Sequence, residues 1–120
     1  MTKKTLVIGA STNPSRYSFM AIKKLTSYGH PVFAIGNKEG EVSGVKFSKE
    51  RVMFDDIDTI TLYLNEKNQK SFYDYILELK PKRVLFNPGT ENEELQNLLR
   101  KNNIAFEEAC TLVLLGTGQY

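Results

Sequence analysis

The chain has little of what most catalytic and export machinery needs. Its 120 residues contain one histidine, one cysteine and no tryptophan. A lone Cys110 cannot close an internal disulfide, which fits a reducing compartment. His30 and Cys110 stand far apart in the sequence and give no convergent ligand set, so no metal site is expected. Long apolar runs are missing too. The longest, Leu112 to Leu115 extended by Ala109 and Cys110, is far short of the roughly 20 residues that span a bilayer, so no membrane association is expected. Two lysines lead directly into a short apolar segment, without the apolar region and small-residue cleavage site of a signal peptide, and a cytoplasmic location is expected. Nor does charge of one sign dominate. Sixteen basic and fourteen acidic side chains are interspersed to a net charge of +2, so the basic stripe that holds nucleic acid is missing and no nucleic-acid partner is expected. There is no repeat, low-complexity tract or linker, and the length predicts one domain over residues 1–120.

What is present alternates in period. "TLVIGA" has the β-branched, nearly continuous apolar character of a strand buried on both faces, giving a first strand at Lys4 to Ile8 before Gly9. Ala21, Ile22, Leu25 and Tyr28 recur at helical spacing from Ser18 to Tyr28, and Gly29 ends that helix. "PVFAI" at 31–35, "TITLYL" at 59–64, "RVLF" at 83–86 and "IAF" at 104–106 read as further strands. A second helix runs from Lys67 to Leu79 on Phe72, Tyr73, Ile76, Leu77 and Leu79. A third opens at Thr90 with Glu93 as a capping box, carries Leu95, Leu98 and Leu99 to the core, and closes on Arg100 and Lys101. Residues 37–54, with Gly40, Gly44 and many charges, form an ordered loop with a short extra hairpin. Strands alternating with helices imply parallel pairing through crossovers. The expectation is a three-layer Rossmann-like α/β fold with a five-stranded parallel sheet in the order 3-2-1-4-5.

Ligands of such sheets bind outside the carboxyl ends of the strands, where the winding reverses. The loop after the first strand, "GASTNPSRYS", offers Gly9, Ala10, Ser11, Thr12 and Ser15 and then opens a helix whose free N–H groups suit a phosphate. It is not the dinucleotide fingerprint, because Ser11 and Pro14 stand where glycines are required, and a plain strand-to-helix turn around Asn13 and Pro14 is the other interpretation. After the second strand come Ile35, Gly36, Asn37 and Lys38, with no carboxylate where an NAD ribose would need one. A cation there suits a ribose bearing a phosphate, as in coenzyme A or NADP; a solvated loop lysine is the alternative. Asn65 ends the third strand, and Asn87, Pro88 and Gly89 end the fourth, bringing backbone close to the crevice.

The order "VIGAS", "PVFAIGN", "GVKF", "LYLN", "NPGT" and "EACTLVLL" resembles, along essentially the whole chain, the small stand-alone CoA-binding proteins related to the amino-terminal CoA-binding domain of succinyl-CoA synthetase. The resemblance implies coenzyme A, or an acyl-CoA, as the nucleotide ligand. It carries that role onto Gly9, Ala10, Ser11, Arg16 and Tyr17, and onto Ile35, Gly36, Asn37 and Lys38. Where the family often has asparagine followed by proline, this chain has Asn37 followed by Lys38. The phosphohistidine and partner subunit of the synthetases lie outside this chain, so ligase activity does not transfer.

Catalytic candidates are thin. His30 precedes the second strand, at the end of the sheet away from the crevice. Asp55, Asp56 and Asp58 precede the third strand and read as solvated turn residues, while Leu64 and Asn65 stand where a receiver-type phosphoacceptor would need an aspartate. Cys110 follows the fifth strand, either as a small buried hydrophobe or facing the crevice. The expectation is a non-enzymatic CoA-binding module with no catalytic residue. The competing class is an NADP-dependent or acyl-CoA enzyme completed by a protein partner or a second copy.

Overall fold

The computed structural model describes residues 2–120. In chain order the elements are β1 (Thr5–Ala10), α1 (Tyr17–Ser27), β2 (Val32–Gly36), β3 (Gly40–Val42), β4 (Val45–Phe47), β5 (Thr59–Leu62), α2 (Glu66–Gln69), a 3-10 turn (Lys70–Phe72), α3 (Tyr73–Leu79), β6 (Arg83–Phe86), α4 (Glu93–Lys101), β7 (Ala105–Glu108) and α5 (Thr111–Gly116). Side chains of a strand point alternately to opposite faces, and β1 shows how this builds three layers. Leu6 and Ile8 pack with Ile76, Leu79, Leu95 and Leu99 beneath α3 and α4. Val7 packs with Ala21, Ile22, Leu25 and Leu115 beneath α1 and α5. Both faces are covered, which is why the central strands read as continuous apolar runs. Among the described residues no helix is long and apolar enough to cross a membrane.

All five long-range strands pair in parallel, in the order β2-β1-β5-β6-β7. The Rossmann-like three-layer class is the one expected, but the strand order differs. Counting parallel strands only, the sheet runs 2-1-3-4-5 and not 3-2-1-4-5, because the third lies beside the first. The reason is the hairpin. β3 and β4 pair antiparallel, and the chain leaving β4 seats Ser48 beside Ile35, with the Gly36 N–H donating to the Ser48 carbonyl at 3.0 Å. That contact occupies the outer edge of β2 which a third strand would have needed. The chain therefore returns to the far side of β1, where the Asp58 and Thr59 N–H groups donate to the Lys4 carbonyl. Winding reverses between β1 and β5, and the crevice lies at their carboxyl ends.

Three local expectations change. The helix expected over Lys67 to Leu79 is broken into α2, the 3-10 turn and α3. At the break Gln69 is drawn into the core, where its amide nitrogen donates to the carbonyls of Leu64 and Thr90 at 2.8 and 2.7 Å. The cap of α4 is Asn92, whose Oδ1 accepts from the Leu95 N–H at 3.1 Å. Thr90 instead closes a tight turn, its N–H and hydroxyl both donating to the Asn87 carbonyl. Finally, the apolar residues after Cys110 form α5, which had no element assigned.

Candidate functional site

The floor of the crevice depends on Gly9. Its φ of +100° is a conformation that residues with a Cβ avoid. A Cβ there would sit 2.9 to 3.0 Å from the carbonyl group of Tyr63 and 3.2 Å from Leu64. Gly36 holds a second close approach: a Cβ on it would lie 2.6 Å from the Ala10 carbonyl oxygen. The ends of β1, β2 and β5 thus come together with backbone exposed between them. Beyond Gly9, Asn13 organises the loop, accepting from the Ser15 N–H and hydroxyl at 3.0 and 2.8 Å, while Ser11 accepts from the Asn13 N–H at 3.0 Å. α1 then begins with no side-chain cap and no acidic residue in its first turn. Its leading N–H groups and positive dipole end are left for an anion.

A cleft of about 760 Å³ opens here. One wall carries Ser11, Ser15, Arg16, Tyr17 and Ser18; the end of β2 adds Ile35, Gly36 and Asn37. Tyr63, Leu64 and Asn65 follow β5, and Pro88, Gly89 and Thr90 follow β6. Lys49, Arg51, Asn68 and Phe72 complete the lining. Three cations line it, and among the described residues no Asp, Glu, His or Cys does.

Most residues singled out in the sequence meet in this cleft: Gly9, Ala10, Ser11, Arg16, Tyr17, Ile35, Gly36, Asn37, Asn65, Pro88 and Gly89. Three do not line it. The Thr12 methyl packs against Gly40 of the hairpin. Lys38 is exposed on the turn before the hairpin. Asn87 is buried beneath the cleft, where its Nδ2 donates to the Thr61 hydroxyl at 2.7 Å and the Leu62 carbonyl at 3.0 Å, and its Oδ1 accepts from the Thr111 N–H at 2.8 Å. These bonds tie β5, β6 and α5 together. Asn65 also caps α2, its Oδ1 accepting from the Asn68 N–H at 2.9 Å.

Lys49 and Arg51 went unrecognised in the sequence. The chain around them alternates: Lys49 and Arg51 line the cleft, while Ser48, Glu50, Val52 and Phe54 line a separate groove with Glu39 and Glu41. That two-residue period was visible in "SKERVMF", but what it faced was not.

Tyr63 reaches from the floor toward Thr61 and Thr111, whose hydroxyls bond each other at 2.9 Å. Among the described residues the Tyr63 hydroxyl makes no hydrogen bond of good geometry, although the Thr61 and Thr111 hydroxyls lie close enough to lower its pKa; burial is the larger effect and pushes it up to about 12. His30 lies at the other end of the sheet. Its Nδ1 accepts from the Lys3 N–H at 2.9 Å, its ring meets Tyr120 edge-on at 4.9 Å, and burial, then Lys3, lowers its pKa. Cys110 is half-buried at the start of α5 and does not line the cleft. Among the described residues no His, Cys, Asp and Glu cluster suits a metal ion.

A comparison with curated proteins found no match. Among solved structures, an uncharacterized protein is 49% identical over 100% of this chain and 99% of its own, with a TM-score of 0.97. A conserved hypothetical protein from Pyrococcus furiosus is 28% identical over 90% and 92%, with a TM-score of 0.77. A hypothetical protein from Pyrococcus horikoshii OT3, 24% identical over 93% and 80% with a TM-score of 0.84, shares the fold. The family model described as CoA binding domain matches residues 3–116, nearly the full length and every strand end that builds the cleft. The chain therefore belongs to the CoA binding domain family, a membership that supports CoA binding.

Proposed function

We propose that this chain is a non-catalytic CoA-binding module that holds CoA, free or acylated, in the cleft at the carboxyl ends of β1, β2, β5 and β6. The observation that carries this function is the sign of the cleft: Arg16, Lys49 and Arg51 line it and, among the described residues, no carboxylate does. A ligand with several phosphates is attracted there, and an uncharged or cationic one gains nothing. The pyrophosphate lies against the Gly9 to Ser11 turn and the open start of α1, with Arg16 beside it. Ile35, Gly36 and Asn37 border the ribose, and Pro88 and Gly89 border the far end of the ligand. Chemistry on the thioester would need an activated nucleophile or a positioned base. The hydroxyls of Ser11, Ser15, Ser18 and Thr90 share the cleft with neither imidazole nor carboxylate among the described residues.

Binding to the native state alone raises the melting temperature by linkage. CoA is expected to do so, and to lose the effect in Ser11→Glu, which brings a carboxylate to the phosphate turn while the protein stays folded. A flat titration to millimolar CoA, beside a clear shift with NAD, would sink the proposal. Incubation with acetyl-CoA is expected to give no turnover.

A further inference from the structure

The cleft has two walls, and the one formed by the chain leaving the hairpin is not part of the phosphate-binding turn. We propose that Lys49 and Arg51 form a second anion subsite that reads the phosphate carried on the ribose, the role the sequence pattern gives to Lys38. The inference rests on the CoA function above and specifies how the phosphorylated ribose is recognised.

Arg51 is held in place before any ligand arrives. Its guanidinium carbon lies 3.7 Å from the centroid of the Phe72 ring, and its two terminal nitrogens donate to the carbonyl and hydroxyl of Ser71. A guanidinium has five N–H donors, so three remain for a ligand. A planar fork fixed by stacking loses less freedom on binding an anion than a solvated lysine does. Lys49 lies two residues earlier and lines the same cleft. Glu50 between them goes to the opposite groove, with Glu39 and Glu41. The alternation therefore sorts charge, delivering two cations to the cleft and the intervening carboxylate away from it.

The two walls suit different phosphates. The β1 turn and the start of α1 offer mainly backbone N–H groups, which fit the singly charged groups of a pyrophosphate. The segment carrying Lys49 and Arg51 offers full charges, which fit a phosphate monoester of nearly two negative charges at neutral pH. CoA carries both kinds, and dephospho-CoA only the first. Lys38, exposed and outside the cleft, reads neither.

The test is calorimetry with CoA and dephospho-CoA on the wild type, Arg51→Gln, Lys49→Ala and Lys38→Ala, with a melting curve for each. Arg51→Gln keeps a side-chain stem over Phe72, and Lys49→Ala changes an exposed residue, so both are expected to fold. The wild type should prefer CoA by about tenfold, as one or two charge-assisted hydrogen bonds allow, and each of the first two variants should weaken CoA more than dephospho-CoA and so remove most of that preference. Lys38→Ala should leave the preference intact. Collapse of the preference in Lys38→Ala alone, equal weakening of both ligands in Arg51→Gln and Lys49→Ala, or a wild type indifferent to the ribose phosphate would overturn the subsite. All three leave CoA binding standing. A wild type that binds neither ligand removes the CoA function and the subsite with it.

Discussion

Two polar side chains near the floor of the cleft, Asn87 buried beneath it and Tyr63 half-buried in its lining, behave in opposite ways. Asn87, directly after β6, makes three hydrogen bonds, two to β5 and one to α5, so its burial is compensated and it fixes how β5, β6 and α5 meet. Tyr63 has its hydroxyl buried with no well-formed hydrogen bond among the described residues. An unpaired buried donor costs on the order of 1 to 3 kcal/mol, so removing it should be harmless or helpful. Tyr63→Phe is therefore expected to leave stability at pH 7 unchanged or raise it by up to about 1 kcal/mol. The pH dependence has a definite sign. The folded pKa of about 12 stands above the ordinary phenol value of 10.0, so the contribution of the neutral phenol is complete below pH 10 and is lost as pH rises through 12. Tyr75, also raised to about 12 by burial, titrates in the same window. Urea unfolding of the wild type and Tyr63→Phe at pH 7 and between pH 9 and 12 should show a shallower alkaline decline in the variant. A loss of more than about 1 kcal/mol at pH 7 would mean that the hydroxyl has a partner after all.

At the scale of elements, the cap of α4 tests how far sequence pattern reaches. Thr90 and Glu93 have the spacing of a capping box, yet Asn92 caps the helix and also donates through Nδ2 to Gln69 Oε1 and the Tyr73 hydroxyl, both at 2.9 Å. Asn92→Ala should cost about 2 to 3 kcal/mol, the sum of a cap, one buried bond and one part-buried bond. Thr90→Ala, which removes one hydroxyl bond to Asn87, should cost about 1 kcal/mol. Melting curves that ranked the two the other way would restore the capping box. Hydrophobic periods are local, which is why β1, α1, β2, β6 and the core stripe of α4 were legible to within a residue or two. Strand order is not local. It turns on Ser48 docking beside Ile35, a contact between residues in different elements that no spacing announces. The same limit applies to the cleft. Gly9 and Gly36 follow from strand ends and turn chemistry and Arg16 from the family resemblance, whereas Lys49 and Arg51 reach the cleft only because the hairpin folds the chain back over it. Asn87 was legible as a strand-end residue, but its three bonds were not, and they keep it below the cleft.

Over the whole molecule, the net charge of +2 gives little indication of what the surface does with its charges. The cleft gathers Arg16, Lys49 and Arg51 with no carboxylate among the described residues, while the neighbouring groove takes Glu39, Glu41 and Glu50 beside Lys46. At about 0.1 M salt the screening length is about 10 Å, so charges within the cleft act on a bound phosphate and those beyond it act weakly. Lys49 and Glu50 separate the two possibilities, because they are adjacent, both exposed and directed to opposite sites. Lys49→Glu and Glu50→Lys change net charge equally and in opposite senses. If overall charge governed CoA affinity, one variant would weaken binding by as much as the other strengthened it. If local sorting governs, Lys49→Glu should weaken CoA by about tenfold or more at moderate salt, since it replaces an attraction with a repulsion inside the cleft, while Glu50→Lys should change it by no more than about twofold. Raising the ionic strength to about 0.5 M should shrink the Lys49→Glu effect, because the screening length then falls to about half. Calorimetry at the two salt concentrations decides the matter, and matched opposite shifts in the two variants would show that the cleft is read only through the charge of the whole protein.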